Sequence, residues 1–208
     1  MKNVECVAFN FGTKAETLER LSSKLTVGEI LPLVHFSKSL WEKSQPQCFD
    51  KISQVLGDKL LIVRSSADEE DNETDSQAGQ YLSVLNVPGK DKKKLADAIG
   101  RVFCSYTGSN EESHVFIQPM VQDVSMVGVV FTHDIDTGAA YYVINYDDES
   151  GRTDTVTGGT GVNKTVMVWH GANHSLIESE RIRKVLQAVM EVEQICGGVP
   201  LDIEFETD

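Results

Sequence analysis

Two carboxylates near the end of the chain carry the plainest chemical pattern. Asp202 and Glu204 alternate with Leu201, Ile203 and Phe205. On a strand, residues two apart share a face, so both carboxylates project together, opposite an apolar face. Such a pair suits magnesium held on nucleotide phosphates, which takes one or two protein carboxylates. A solvent-facing acidic edge has the same pattern. Arg64-Ser65-Ser66 ends a compact apolar run, Leu60 to Val63. An arginine leaving a buried strand needs an anionic partner, and a guanidinium matches phosphate oxygens two at a time. A structural ion pair with nearby carboxylates is the alternative. Gly158 to Thr165 nearly spells the phosphate loop G-x-x-x-x-G-K-S/T, with Asn163 where the second glycine belongs. A true phosphate loop opens a helix. Val166 to Trp169 has the character of a strand, so a glycine-rich loop touching nucleotide phosphate is the better expectation.

Other chemistries find little support. The five histidines (His35, His114, His133, His170, His174) show no metal-ligand spacing, and no Gly-x-Ser-x-Gly nucleophile motif occurs. Six of the eight residues from Asp68 to Asp75 are acidic. They lack the alternating ligands, central glycine and final glutamate of a calcium loop. Like charges this dense repel each other and predict a mobile surface loop. The four cysteines are scattered and form no Cys-x-x-Cys pair, which excludes zinc-knuckle and redox-motif readings and fits a reduced, cytoplasmic protein.

The 208 residues are enough for one large domain or two small ones. Lys plus Arg number 19 against 32 Asp plus Glu, a formal charge of -13. That balance argues against nucleic-acid and anionic-membrane partners, which need positive charge facing phosphates. No apolar run approaches the length of a membrane span, and the first ten residues lack the pattern of a signal peptide.

The elements that must position these residues follow from periodicity. Leu18, Leu21 and Leu25 mark a helix over 15–25, with Thr13 and Glu16 placed as a capping box. A loose stretch around Pro32 and Pro46 follows. Phe49 to Leu56 predicts a short helix stopped at Gly57. Leu60 to Val63 and Tyr81 to Val87 predict strands, and Leu95 to Tyr106 an amphipathic helix. Strands are expected at 115–121, 127–132, 140–146 and 165–169, with a hairpin turn at Asp136-Thr137-Gly138. A helix over 182–195 and a strand over 201–205 complete the pattern. The last strand has the look of one hairpin arm whose partner is missing. This predicts an N-terminal fragment of a longer protein, since a lone edge strand is a liability.

Taken together, these pieces resemble the nucleotide-binding region of phosphoenolpyruvate synthases and pyruvate phosphate dikinases. Leu61-Ile62-Val63-Arg64-Ser65-Ser66-Ala67, the acidic stretch, Ser76-Gln77-Ala78-Gly79-Gln80-Tyr81 and Leu85-Asn86-Val87 are similar to that family's "VRSSA" signature and its continuation. Phe11-Gly12-Thr13-Lys14-Ala15 resembles its opening "GGK" motif. Gln118-Pro119-Met120-Val121 and Gly128-Val129-Val130-Phe131-Thr132 resemble a pair of its strands, and Asp202-Ile203-Glu204-Phe205 its "DIEF" strand. The resemblance implies an α+β, ATP-grasp-like fold of two lobes clamping ATP, truncated at the C-terminal strand. The lobes would be 1–110 and 111–208. It implies that Lys14 and Arg64 hold phosphates and that Glu204, with Asp202, binds Mg2+. Gln118, Met120 and Thr132 would lie on the nucleotide side. Arg64 and Glu204 would be the catalytic pair, stabilising charge during phosphoryl transfer.

The sequence departs from the family pattern in places. Gly-Thr-Lys replaces Gly-Gly-Lys at 12–14. No glutamate stands before Val156-Thr157-Gly158, where Asp154 is the substitute for a ribose contact. Leu31 to Trp41 and Tyr141 to Gly151 resemble the synthase-like proteins of capsule biosynthesis, a group that includes an L-glutamine kinase. The implied function is AMP-forming: phosphate passes from ATP to a histidine on a missing domain, then to a small acceptor, pyruvate or the L-glutamine amide. The implied fragment is inactive alone. A non-catalytic nucleotide-binding module is the alternative.

Overall fold

The computed structural model describes residues 9–66, 82–106, 113–149 and 164–208. The chain divides into two compact units. The first lobe is Phe11–Ser22 with Ile30–Met120; the second is Val121–Asp208 with Ser23–Glu29 and the described start of the chain.

The first lobe is built on an antiparallel sheet of β1 (Val34–Ser37), β2 (Leu60–Ser66), β3 (Val84–Pro88) and β4 (His114–Pro119), in the order β1-β4-β2-β3. The helices are α1 (Lys14–Ser22), α2 (Lys38–Lys43), α3 (Gln45–Leu56) and α4 (Lys92–Ser105). In β2, Leu61 and Val63 point into a core shared with Ile52 and Leu56 of α3 and with Leu95, Ile99 and Val102 of α4. Ile62, Arg64 and Ser66 therefore lie on the opposite face. Pro46 does not break the chain. It sits in the first turn of α3, where its missing N–H costs nothing. Gly57 ends that helix at φ +65°, a conformation glycine adopts freely. Pro88 is tolerated because β3 is the sheet edge.

Two elements depart from the sequence expectation. The loose stretch before Pro46 contains β1 and α2. Four residues give too little alternation to recognise, and Ser37 ends β1 while its side chain caps α2 at the Leu40 amide. The second departure is β4, which a boundary at 110/111 puts in the second lobe. It lies between β1 and β2, with Val63 opposite Ile117 and Val34 opposite Ile117 from the other side. Its apolar residues Val115 and Ile117 complete the first core. Ala67 to Tyr81, which includes the acidic stretch, lies outside the described residues.

The second lobe carries an antiparallel sheet of β5 (Met126–Phe131), β6 (Tyr141–Asp147), β7 (Lys164–Trp169) and β8 (Asp202–Thr207), in the order β7-β6-β5-β8. Helix α5 (Glu180–Ile195) covers one face, burying Ile182, Val185, Leu186 and Val189 against Met126, Val130, Ile144 and Val168. The β5–β6 connection turns where expected. The Asp134 carboxylate accepts the Thr137 amide at 2.9 Å, and Gly138 takes φ +68°. The final strand, β8, is the edge of this sheet and pairs with β5 along its length. No helix among the described residues is long and apolar enough to cross a membrane.

Candidate functional site

In the first lobe the site begins with the start of α1. Thr13 caps the helix: its hydroxyl accepts the Glu16 amide at 3.3 Å, and the Glu16 carboxylate accepts the Thr13 amide at 3.2 Å. These are the two reciprocal bonds of a capping box. The intervening amide, Ala15 N–H, is fully buried and donates to Ser66 Oγ at 3.0 Å. The second serine of Arg-Ser-Ser thus fastens the helix to the end of β2. Ser66 is itself held, since its amide donates to the Tyr106 hydroxyl at 2.9 Å and that hydroxyl donates to the His114 carbonyl. The half-buried Lys14 is the residue before Ala15, and Arg64 stands two residues before Ser66 on the same face. The fold therefore brings the two cations predicted to hold phosphate to one end of this lobe. Gly12 fits a tight space beside α1, where a Cβ would lie 2.2 Å from Glu16 Oε2.

Gln118 is opposite Ile62 on β4, so it shares the face of Arg64 as a diagonal neighbour. Its amide donates to the Leu31 carbonyl at 3.1 Å. Met120 follows β4 and continues the ladder by donating its amide to the Leu60 carbonyl at 2.8 Å.

In the second lobe, Asp202 and Glu204 are both exposed on one face of β8, while Ile203 and Phe205 pack into the core. Their Cα atoms stand about 6.6–6.8 Å apart along the strand. This suits a hard cation that prefers oxygen ligands. On this face the apolar Val127, Val129 and Phe131 of β5 separate the β8 carboxylates from further polar residues on β6. Glu204 is opposite Val129, which is opposite Asn145; Glu206 is opposite Val127, which is opposite Asp147. The sequence signal for Asn145 and Asp147 is their spacing of two on an alternating strand.

Thr132 is placed differently from the sequence expectation. It is fully buried. Its hydroxyl accepts the Leu201 amide at 2.8 Å, its own amide donates to the Leu201 carbonyl at 2.9 Å, and its carbonyl accepts His170 Nε2 at 2.7 Å. With those groups engaged, Thr132 fixes the entry to β8 and so the position of Asp202. Asp154 and the glycines of the 158–161 segment lie outside the described residues. Lys164 begins strand β7 rather than a helix, which rules out a phosphate loop of the helix-opening kind. Its ammonium pairs with Asp148 at 2.7 Å and Glu149 at 2.9 Å, and these hydrogen bonds raise its pKa.

A family model described as pyruvate phosphate dikinase, AMP/ATP-binding domain, matches residues 14–160. The chain belongs to this family. The match takes in Lys14, Arg64, Gln118 and Thr132, while Asp202 and Glu204 lie beyond it. The prodigiosin synthesizing transferase PigC of Serratia marcescens is 35% identical over 98 residues, which cover 43% of this chain and 11% of that protein. Among solved structures, the VanG D-Ala:D-Ser ligase from Enterococcus faecalis aligns with a TM-score of 0.45 and 14% identity, over 91% of this chain and 46% of the ligase. ATP citrate lyase from Methanothrix soehngenii aligns with a TM-score of 0.39 and 13% identity, over 85% and 44% of the two chains. Both scores mark a loose likeness only. The chain thus spans about a tenth of the curated relative and under half of either structure. Family membership and the two α+β lobes agree with the ATP-grasp-like organisation expected from sequence.

Proposed function

We propose that this chain is the nucleotide-binding part of a dikinase-type phosphotransferase. ATP, when bound with Mg2+, would supply the phosphoryl group and the metal charge that offsets the phosphate oxygens. Lys14 and Arg64 hold the phosphates, and Glu204 with Asp202 holds the metal. Gln118 and Met120 border the nucleotide, and Asp154 meets the ribose. Thr132 acts as a positioning residue for Asp202. Phosphate passes to a histidine on a domain beyond this chain and then to a small acceptor, pyruvate or the L-glutamine amide. We place the reaction in the cytoplasm, which suits the free thiols of Cys48, Cys104 and Cys196. Phosphoryl transfer needs positioned cations more than covalent chemistry, and these residues supply cations and metal-binding oxygens.

The observation that carries this reading is the family match across 14–160. The relative named as a biosynthetic transferase favours small-molecule biosynthesis as the setting. The test is phosphorus NMR of the full-length protein with Mg2+ and ATP, with pyruvate and L-glutamine in separate tubes. AMP and a phosphorylated acceptor are expected in one tube. ATP left unchanged in every tube by a folded protein that still binds it would favour a non-catalytic nucleotide-binding module.

A further inference from the structure

We propose that His133, His170 and Glu193 bind a divalent transition-metal ion, with zinc the best fit, in the second lobe. One ligand atom from each residue lies within 4.8 Å of the others. His133 follows β5, His170 follows β7 and Glu193 lies on α5, so a single ion would join two strand ends to the helix covering them. This is the α5 side of the sheet, opposite the face that carries Asp202 and Glu204.

The surroundings have the character of a metal site's outer shell. Ligating histidines usually donate their other N–H to a carbonyl or carboxylate, which fixes the tautomer. His170 Nε2 is 2.7 Å from the Thr132 carbonyl, which can only accept. The ring therefore carries its proton on Nε2 and leaves a lone pair on Nδ1. The Tyr142 ring stacks on His170 at 4.1 Å. The Tyr142 hydroxyl donates to Glu193 Oε2 at 2.7 Å, orienting the carboxylate and leaving Oε1 toward His133. His133 Nδ1 and Glu193 Oε1 stand 3.9 Å apart, with side chains 25% and 12% exposed. That separation is too long for a hydrogen bond. It exceeds by about 0.5 Å the roughly 3.4 Å expected between two ligands about 2.0–2.1 Å from one tetrahedral ion, so the side chains need a small inward shift to hold one. Two imidazoles and one carboxylate, with water in a fourth position, are a set that zinc accepts. The plainer arrangement, an imidazole–carboxylate contact with no ion, predicts no metal uptake.

The test is a cobalt(II) titration of the whole chain after chelator treatment, followed by displacement with zinc. One equivalent should bind with visible absorption of an N/O site of low coordination number, and zinc should abolish the band. Glu193→Gln keeps an acceptor for Tyr142 and preserves the packing, yet should weaken binding at least tenfold. His133→Ala should weaken it further. Tyr142→Phe leaves all three ligands and should weaken binding about tenfold, as loss of an orienting partner does. His35→Ala, beside Glu19 and His114 in the first lobe, should leave the titration unchanged. No saturable cobalt or zinc uptake by the parent chain overturns the proposal. So does uptake that is as strong in Glu193→Gln and His133→Ala as in the parent.

Discussion

Replacing Ser66 with alanine tests the link between the Arg-Ser-Ser strand and the start of α1. The serine hydroxyl accepts the Ala15 amide at 3.0 Å, and both residues are fully buried. Ala15 is the second residue of α1, where no intrahelical acceptor exists. The variant therefore leaves a buried N–H without a partner and without water. Such a loss costs about 1–3 kcal/mol, of which the missing hydroxyl's packing is a minor part. At about 2–4 °C per kcal/mol for a chain of this size, a central loss of about 2 kcal/mol lowers the melting temperature by about 4–8 °C. Amide exchange at Ala15 should rise by about thirtyfold, the same energy expressed as an equilibrium constant. Thr13→Ala removes the neighbouring cap for about 1 kcal/mol. The two changes should not add, because both loosen one turn. Lys14 rides on that turn, so ATP binding should weaken as well. A Ser66→Ala variant that melts within about 1 °C of the parent, with Ala15 exchange unchanged, refutes the argument.

Arg64→Ala and Glu204→Gln in the full-length protein should each abolish ATP consumption while circular dichroism and melting stay near the parent; full turnover in either would remove that residue from its role. Gly128→Ala should destabilise the second lobe by about 1–3 kcal/mol in thermal melts, because its Cβ would lie 2.4 Å from the Asn145 carbonyl and 2.7 Å from the Phe205 ring. Glu191 holds Ser23–Glu29 on the lobe by accepting from the Thr26 hydroxyl and the Thr26 and Val27 amides. The Thr26 hydroxyl bond, then the Val27 amide bond, lower its pKa below the ordinary 4.5. Its contribution is present above that value and fades as pH falls through the lower folded pKa, so the protection of the Thr26 and Val27 amides, measured against the intrinsic exchange rate at each pH, should fall only in acid, and Glu191→Gln should remove that acid dependence. A thiol reagent should label exposed Cys104 before buried Cys48 and Cys196, whose pKa values burial raises.

What the sequence made visible was whatever depends on near neighbours. A compact apolar run exposed β2, and alternation exposed β8. Helical spacing exposed α4 and α5, and Thr13 with Glu16 announced the cap that the structure shows. Each of these signals is written within a few residues. The carboxylate pair at 202 and 204 was legible for the same reason. The placement of β4 was not, because its residues alternate equally well for either sheet. Only its pairing with both β1 and β2 decides the lobe. The backbone partner of Thr132 is hidden on similar grounds. A threonine ending an apolar strand has the same local pattern whether its hydroxyl meets a ligand or a backbone amide 69 residues away.

The histidines show where spacing arguments stop. Metal-ligand spacing is a property of ligands on one helix or one loop. His133, His170 and Glu193 come from two strand ends and a helix, so only the sheet order and the lie of α5 bring them together. Tyr142, which bonds Glu193 across 51 residues, gives no sequence signal of that role. The same logic applies to Glu191, whose bonds to Thr26 span 165 residues. A carboxylate on an exposed helical turn looks like a solvated charge until the fold lays another segment across it. Chemistry assembled from distant elements is therefore what this fold adds to the sequence. The metal titration and the acid-dependent exchange at Thr26 each probe such an assembly directly.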